Sequence, residues 1–263
     1  MEPLATAMAR SALALGLAMG VLWLLSIRLR NASIVDPFWG TGYVLVAWIS
    51  AAGTTGAEPR RAVLLALVTA WGLRLSLHLL ARNAGHGEDP RYRAMRAQHG
   101  PRFWWVSLFT VFAFQGLLLW VVALPLMAVV VARGPAGLGP LDLLGVGLWA
   151  VGFFFEAVGD WQLGRFQADP ATRGTVLDTG LWRYTRHPNY FGDALQWWGF
   201  GVLALATGAW WALVSPVVMN LLLLKVSGVA LLEKDIAERR PGYREYVRRT
   251  NAFFPWFPKE ARK

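Results

Sequence analysis

The chain has 263 residues, 56% of them hydrophobic and only 16% charged, with 15 Trp and 14 Phe, a balance too apolar for a water-soluble domain of this length, and it points to an integral membrane protein. Cysteine is absent, which excludes disulfides and thiolate metal sites, and the 4 His show neither H-x-x-x-H nor H-E-x-x-H spacing, so no metal site is expected. The net charge of +10 is spread between apolar segments rather than gathered on one polar face, so membrane lipids with anionic head groups, and not nucleic acid, are the expected partners.

A helix needs about 20 residues to cross a hydrocarbon core of ~30 Å. Apolar segments of that order run over about 6–27, 37–55, 62–81, 103–132, 141–163, 189–207 and 209–232, which predicts an all-α integral membrane protein. Its single domain would be a bundle of seven transmembrane helices followed by a tail over 233–263. In the first segment Arg10 precedes an apolar run, as in a signal peptide, but Arg28 and Arg30 follow and no small-residue cleavage site stands out, so it reads as an anchor. The connections after the first, third and fifth spans, together with the tail, carry most of the 26 Lys and Arg. The positive-inside rule makes that side cytoplasmic, with the N-terminus outside and the C-terminus inside.

In the first connection Asp36 precedes Pro37, a turn leading into a helix start; the carboxylate either caps that helix or serves chemistry. Span three carries Arg74, His78 and Arg82 one turn apart on a face that Trp71 also approaches, and a stripe that polar within a membrane must meet protein or a water-filled cavity. The turn-rich stretch from Asn83 to Tyr92 could fold over a site or be an ordinary solvated loop. Span four, with aromatics near both ends and Pro125 within, is assigned no chemistry.

Span five ends in Glu156 and Asp160, two carboxylates one turn apart that repel unless each has a donor opposite. Ribose and amide groups of a cofactor would serve, as would a structural network with Arg165 and Arg74. Between spans five and six lies Gly-Leu-Trp-Arg-Tyr-Thr-Arg-His-Pro-Asn-Tyr-Phe-Gly, from Gly180 to Gly192. Pro188 suits the first turn of a helix, so unpaired backbone N–H groups beside Arg183 and Arg186 would suit a phosphate or carboxylate. Asn189, Asp193 and Gln196 then keep one face of that helix polar. Lys225 in span seven either reaches the interface or faces the site, and the basic, aromatic tail reads as an interfacial helix. No G-x-G-x-x-G after a strand and no Walker run is present, so any nucleotide must be held by the membrane helices and their loops. The polar patches lie toward the cytoplasmic half, where one pocket would account for them.

The run Thr179–Gly192 resembles the C-terminal signature of the steroid 5α-reductase family in its bacterial branch. The tail Tyr243-Arg-Glu-Tyr246, followed by Phe253-Phe-Pro255, is similar to that family's C-terminus. The resemblance implies an oxidoreductase that uses NADPH to saturate a carbon–carbon double bond conjugated to a ketone in a steroid-like lipid, taking a 3-oxo-Δ4 steroid to its 5α-reduced product. It further implies a bacterial inner membrane protein with its cofactor site toward the cytoplasm and a lipid substrate entering from the bilayer; the oligomeric state stays open, a monomer being the expectation. Asn189 and Asp193 match the family's Asn and Glu, and Asp160 its cofactor-binding Asp, with Glu156 one turn earlier. Arg74, Arg183, Arg186, His187, Tyr190, Lys225, Glu233, Tyr243 and Tyr246 complete the expected cofactor set. Asp36 before Pro37 resembles the element that supplies the family's catalytic acid. At its partner tyrosine the chain departs from the pattern, placing Trp71 there with His78 nearby, so Asp36, Trp71 and His78 are the catalytic candidates.

Arg-His-Pro-Asn-Tyr before an apolar helix also resembles membrane methyltransferases of the isoprenylcysteine carboxyl type, which makes S-adenosylmethionine the alternative cofactor. A non-enzymatic lipid-binding or transport protein is a further alternative, without the paired broken helices that such folds use.

Overall fold

The computed structural model describes residues 4–54, 59–132, 137–226, 240 and 242–259. All regular structure among them is helical. Four helical runs are long and apolar enough to cross a membrane: Leu4–Leu29, Pro59–Asn83, Pro90–Val122 and Pro140–Ala168; Trp210–Lys225 is a shorter apolar stretch. Their outward faces carry large apolar side chains, among them Leu13, Leu17, Leu77, Leu143 and Phe154, each more than half exposed. A bilayer covers such surface, whereas water would not tolerate it in patches of this extent.

The chain forms two compact units, Met1–Gly139 with Leu203–Ala212, and Pro140–Val202 with Leu213–Lys263. In the first, α1 (Leu4–Leu29), α2 (Phe38–Ala51) and α3 (Pro59–Asn83) pack with α4 (Pro90–His99), α5 (Phe103–Ser107), α6 (Phe114–Val122) and α7 (Leu124–Val131). α2 and α3 approach so closely that a Cβ on Gly40 would lie 2.1 Å from the Gly72 carbonyl oxygen. Small residues permit this backbone proximity, the usual device where helices meet in lipid. Around the crossing, Tyr43, Val46, Leu64, Val68 and Trp71 are buried.

The segment expected as one span over 103–132 is broken. Residues Leu108–Ala113 form a π-helical turn between α5 and α6, and the helix ends at Val122 before restarting as α7, with Pro125 in its first turn. Proline lacks the N–H that would continue the helix into the preceding turn, which accounts for the second break. The expected span over 37–55 closes at Ala51, where a turn leads toward Gly53.

In the second unit α8 (Pro140–Ala168) lies against α9 (Pro188–Leu205), whose residues to Val202 belong to this unit. Gly152 and Gly159 on α8 and Gly192 and Gly199 on α9 bring the two backbones together; a Cβ on Gly192 would lie 2.4 Å from the Glu156 nitrogen. After Trp210–Leu213, α10 (Val214–Leu221) runs into a π-helical turn over Leu222–Val226, and α11 (Tyr243–Arg249) lies in the tail.

Candidate functional site

In the first unit the polar centre is Asp36. Its carboxylate does not cap α2, whose N-cap is Pro37 with no side-chain hydrogen bond. Tyr92 in the first turn of α4 donates its hydroxyl to Asp36 Oδ1 at 2.7 Å, and Arg91 Nη2 reaches Oδ2 at 3.2 Å. Behind the phenol, Gln115 Nε2 donates to Tyr92 Oη at 3.0 Å, and Trp39 Nε1 donates to Gln115 Oε1 at 2.7 Å. Burial pushes the Asp36 carboxyl above its ordinary range; the Tyr92 hydrogen bond and the Arg91 charge pull it back only in part.

The loop before α4 is fastened to the chain ahead of Asp36. Glu88 accepts the Ala32 N–H at 2.8 Å and takes Arg96 through both Nε and Nη2, while the Asp89 N–H donates to Ser33 Oγ at 2.6 Å. Asp89 also caps α4 by accepting the Arg91 N–H, with Pro90 in the first turn. These anchors carry Tyr92 to Asp36. The loop is therefore part of the site's frame, and the tyrosine that faces the acid is Tyr92, not a group at Trp71. Trp71 is 1% exposed and packs on Tyr43, ring centroids 5.5 Å apart. Arg74 and His78 lie half-buried on α3 in the same unit.

Sequence reasoning missed Tyr92 and Gln115. A glutamine in an otherwise apolar span was the available signal for the latter, since an unpaired amide in lipid is costly.

The second unit holds most of the expected cofactor residues. The requirement that Glu156 and Asp160 each find a donor is met from α9: Gln196 Nε2 donates to Glu156 Oε2 at 2.5 Å, and Asn189 Nδ2 to Asp160 Oδ1 at 3.0 Å. Glu156, Asp160 and Gln196 are buried, and Gln196 Oε1 has no hydrogen-bond partner among the described residues. Asp193 lies half-buried one turn beyond Asn189. His187, 5% exposed, stacks on Tyr190 with ring centroids 5.6 Å apart.

The tail folds back onto the loop that precedes α9, burying Tyr243, Tyr246 and Phe253, while Phe254 and Trp256 stay exposed. Arg186 Nη1 donates to the Thr250 and Val247 carbonyls, at 2.5 and 3.3 Å, and its backbone N–H to Asn251 O at 2.9 Å. Tyr246 donates to Trp182 O at 2.5 Å, Tyr243 packs edge-on against Tyr246, and Arg249 pairs with Asp178. Arg186 thus tethers the tail through three contacts, while Arg183 is exposed beside an open hollow of about 410 Å³ that Arg249, Lys259, Asp178 and Glu245 also line. Lys225 is exposed at the end of its π-helical turn, and Glu233 lies outside the described residues.

Apolar helices that carry carboxylate–amide and carboxylate–phenol pairs at least partly shielded from solvent define a helical protein fitted to a membrane. Residues 22–250 match the family described as "Protein of unknown function (DUF1295)", and the chain belongs to that family. It is also similar to an uncharacterized protein of Schizosaccharomyces pombe, 27% identical over 262 residues that cover 89% of this chain and 76% of the relative. No solved structure matches the chain.

Proposed function

We propose that the protein is an NADPH-dependent membrane reductase that saturates a carbon–carbon double bond conjugated to a ketone in a steroid-like lipid. The observation that carries this reading is the part-buried Asp36–Tyr92 pair, with a phenol proton directed at a carboxyl whose desolvation favours the protonated form. Polarising a substrate carbonyl and delivering a proton in an apolar setting is what such a pair is suited to do. The resemblance of Thr179–Gly192 to steroid 5α-reductases, and the place of such reductase-like proteins within the matched family, support the same chemistry.

The second unit offers a donor and acceptor set suited to NADPH. Asp160, Asn189, Glu156 and Gln196 present carboxylate and amide groups for ribose and carboxamide, and the orphaned Gln196 Oε1 is a buried acceptor of the kind a ligand N–H would satisfy. Arg183 is open to a phosphate, and Tyr190 and His187 offer stacked rings. When bound, NADPH supplies the hydride that goes to the β-carbon of the enone. Asp36 and Tyr92 are the groups of the first unit suited to polarise a ketone oxygen and to supply a proton.

In this reading α2, α9 and the Trp210–Lys225 stretch, all shorter than the four long runs, complete the bundle of seven membrane segments, with the N-terminus outside and the tail in the cytoplasm. The protein sits in a bacterial inner membrane and takes its lipid from the bilayer.

The test is to incubate the purified protein with NADPH and a 3-oxo-Δ4 steroid and follow both nicotinamide oxidation and the mass of the steroid. A gain of two hydrogens matched to NADPH consumed supports the reading. Co-purified S-adenosylmethionine with methyl transfer to a lipid, and no reduction, overturns it in favour of the methyltransferase.

A further inference from the structure

The hydrogen-bond chain behind Asp36 has a direction, and its far end fixes it. An indole Nε1–H can only donate. Trp39 Nε1 lies 2.7 Å from the Gln115 side chain, so the atom facing it must be the amide oxygen. The Gln115 amide nitrogen then faces Tyr92 Oη at 3.0 Å, and that nitrogen too can only donate. Tyr92 Oη is left to accept from Gln115 and to place its single proton on Asp36 Oδ1, 2.7 Å away. Were the amide turned over, two donors would face each other at Trp39, and Tyr92 could turn its proton back onto Gln115 Oε1.

We propose that Trp39 and Gln115 are positioning residues that hold the Tyr92 proton on the Asp36 side, where a substrate carbonyl would meet it. The role in turnover rests on the reductase reading, whereas the direction of the chain does not. Neither residue needs to touch substrate. α2 supplies the donor that sets the amide, α6 supplies the amide, and together they remove the choice an isolated phenol would have.

The direction can be read without any reaction, from the titration of Asp36. The groups that act on this carboxyl are Tyr92, Arg91 and Asp89 around the start of α4, and Arg82 near the end of α3. Only Tyr92 depends on Gln115 for its orientation. The probe is the infrared carboxyl band that disappears in Asp36→Asn, followed against pH in the full-length protein. Trp39→Phe keeps the aromatic bulk but frees the amide to turn; Tyr92 then donates to Gln115 Oε1, and the Asp36 carboxylate loses a donor. Its ionisation constant is expected to fall by about tenfold, the worth of one hydrogen bond to a charged group. Gln115→Leu leaves Tyr92 no acceptor but Asp36 among the described residues, so the titration is expected to stay near that of the parent. In the double variant, where the competing acceptor is gone, it returns to the parent position.

A role in packing alone predicts another pattern. Trp39→Phe would leave the titration unchanged, or the double variant would be displaced further than either single change, and either result overturns the proposal. Steady-state turnover of an enone with NADPH, measured on the same proteins, keeps the two readings apart. A shifted and rescued titration in a protein that reduces no enone removes the reductase reading and leaves the direction of the chain. An unmoved titration in an active reductase removes the positioning role alone.

Discussion

Asn189 gives its side-chain amide to Asp160 at 3.0 Å, and two turns along the same helix Gln196 gives its own to Glu156. Each of two carboxyl groups one turn apart on α8 thereby has a separate amide from α9, which keeps the two helices in register. Asn189→Ala removes the Asp160 donor and, on the proposed reductase reading, a cofactor contact with it. With a buried hydrogen bond worth about 1–3 kcal/mol, NADPH affinity is expected to fall by roughly 5- to 150-fold, read from fluorescence titration of the purified variant. Retained affinity would move the cofactor away from this pair.

Asp36→Asn and Tyr92→Phe should each lower turnover by about 10²-fold or more, the size typical of a general acid, with cofactor affinity close to the parent's. Because the two groups act as a unit, the double variant should be little worse than either single one. Kinetics on the three variants check this. Independent losses that multiply would mean that the phenol and the carboxylate serve separate steps.

Glu88 titrates in the opposite sense from Asp36. Burial pushes its carboxyl up, but the Arg96 hydrogen bonds, the Ala32 N–H and the Arg96 and Arg93 charges outweigh burial and hold it below its ordinary range. A carboxyl depressed by folding stabilises the fold above its unfolded value, and that contribution is lost as pH falls through the folded one. Asp36, raised by folding, contributes below its unfolded value and loses that contribution as pH rises through the folded one. Acidification below the ordinary glutamate range should therefore loosen the loop before α4, with Asp36 neutral there. Hydrogen exchange at the Ala32 amide should quicken on acidification, after correction for the intrinsic rate. In Glu88→Gln the amide should be poorly protected at every pH, with that dependence gone.

Gly192 and Gly164 form a matched pair. An added Cβ at Gly192 would meet the α8 backbone, 2.4 Å from the Glu156 nitrogen, whereas one at Gly164 would meet nothing within 4 Å. Gly192→Ala should cost about 1–3 kcal/mol or more through forced separation of the helices, whereas Gly164→Ala should be neutral or gain about 0.5–1 kcal/mol from lowered chain entropy. Thermal unfolding in detergent distinguishes them, and equal midpoints would remove close approach as the reason for glycine at position 192.

Long apolar segments could be read because the bilayer imposes their length on the sequence: 141–163 was expected and Pro140–Ala168 is observed, and 189–207 corresponds to Pro188–Leu205. The break at Ala123 was harder to see, since hydropathy runs unbroken through it and only Pro125 marks it. The need of Glu156 and Asp160 for donors followed from spacing on one helix. Tyr92 did not, because it meets Asp36 across 56 residues and is delivered by loop anchors that have no periodic signature. Gln115 belongs to a span whose local composition announces lipid. The tail looked like a lipid-facing helix because an apolar stripe is the same whether bilayer or protein covers it; Tyr246 and Arg186 turn that stripe onto the loop before α9.

The π-helical turn at Leu108–Ala113 sets the rotational phase of everything after it on α6. Each residue of an α-helix advances the azimuth by about 100°. Removing one residue from this turn would restore the ordinary repeat and swing Gln115 by about that angle, off the bearing on which it meets Tyr92 and Trp39. Chain length at this turn, rather than the identity of the apolar side chains that form it, is then what aims the amide. A substitution at the exposed Phe109 should be absorbed by the lipid, and one at the buried Val111 or Phe112 should disturb packing locally, while a one-residue deletion would redirect the whole face of the helix.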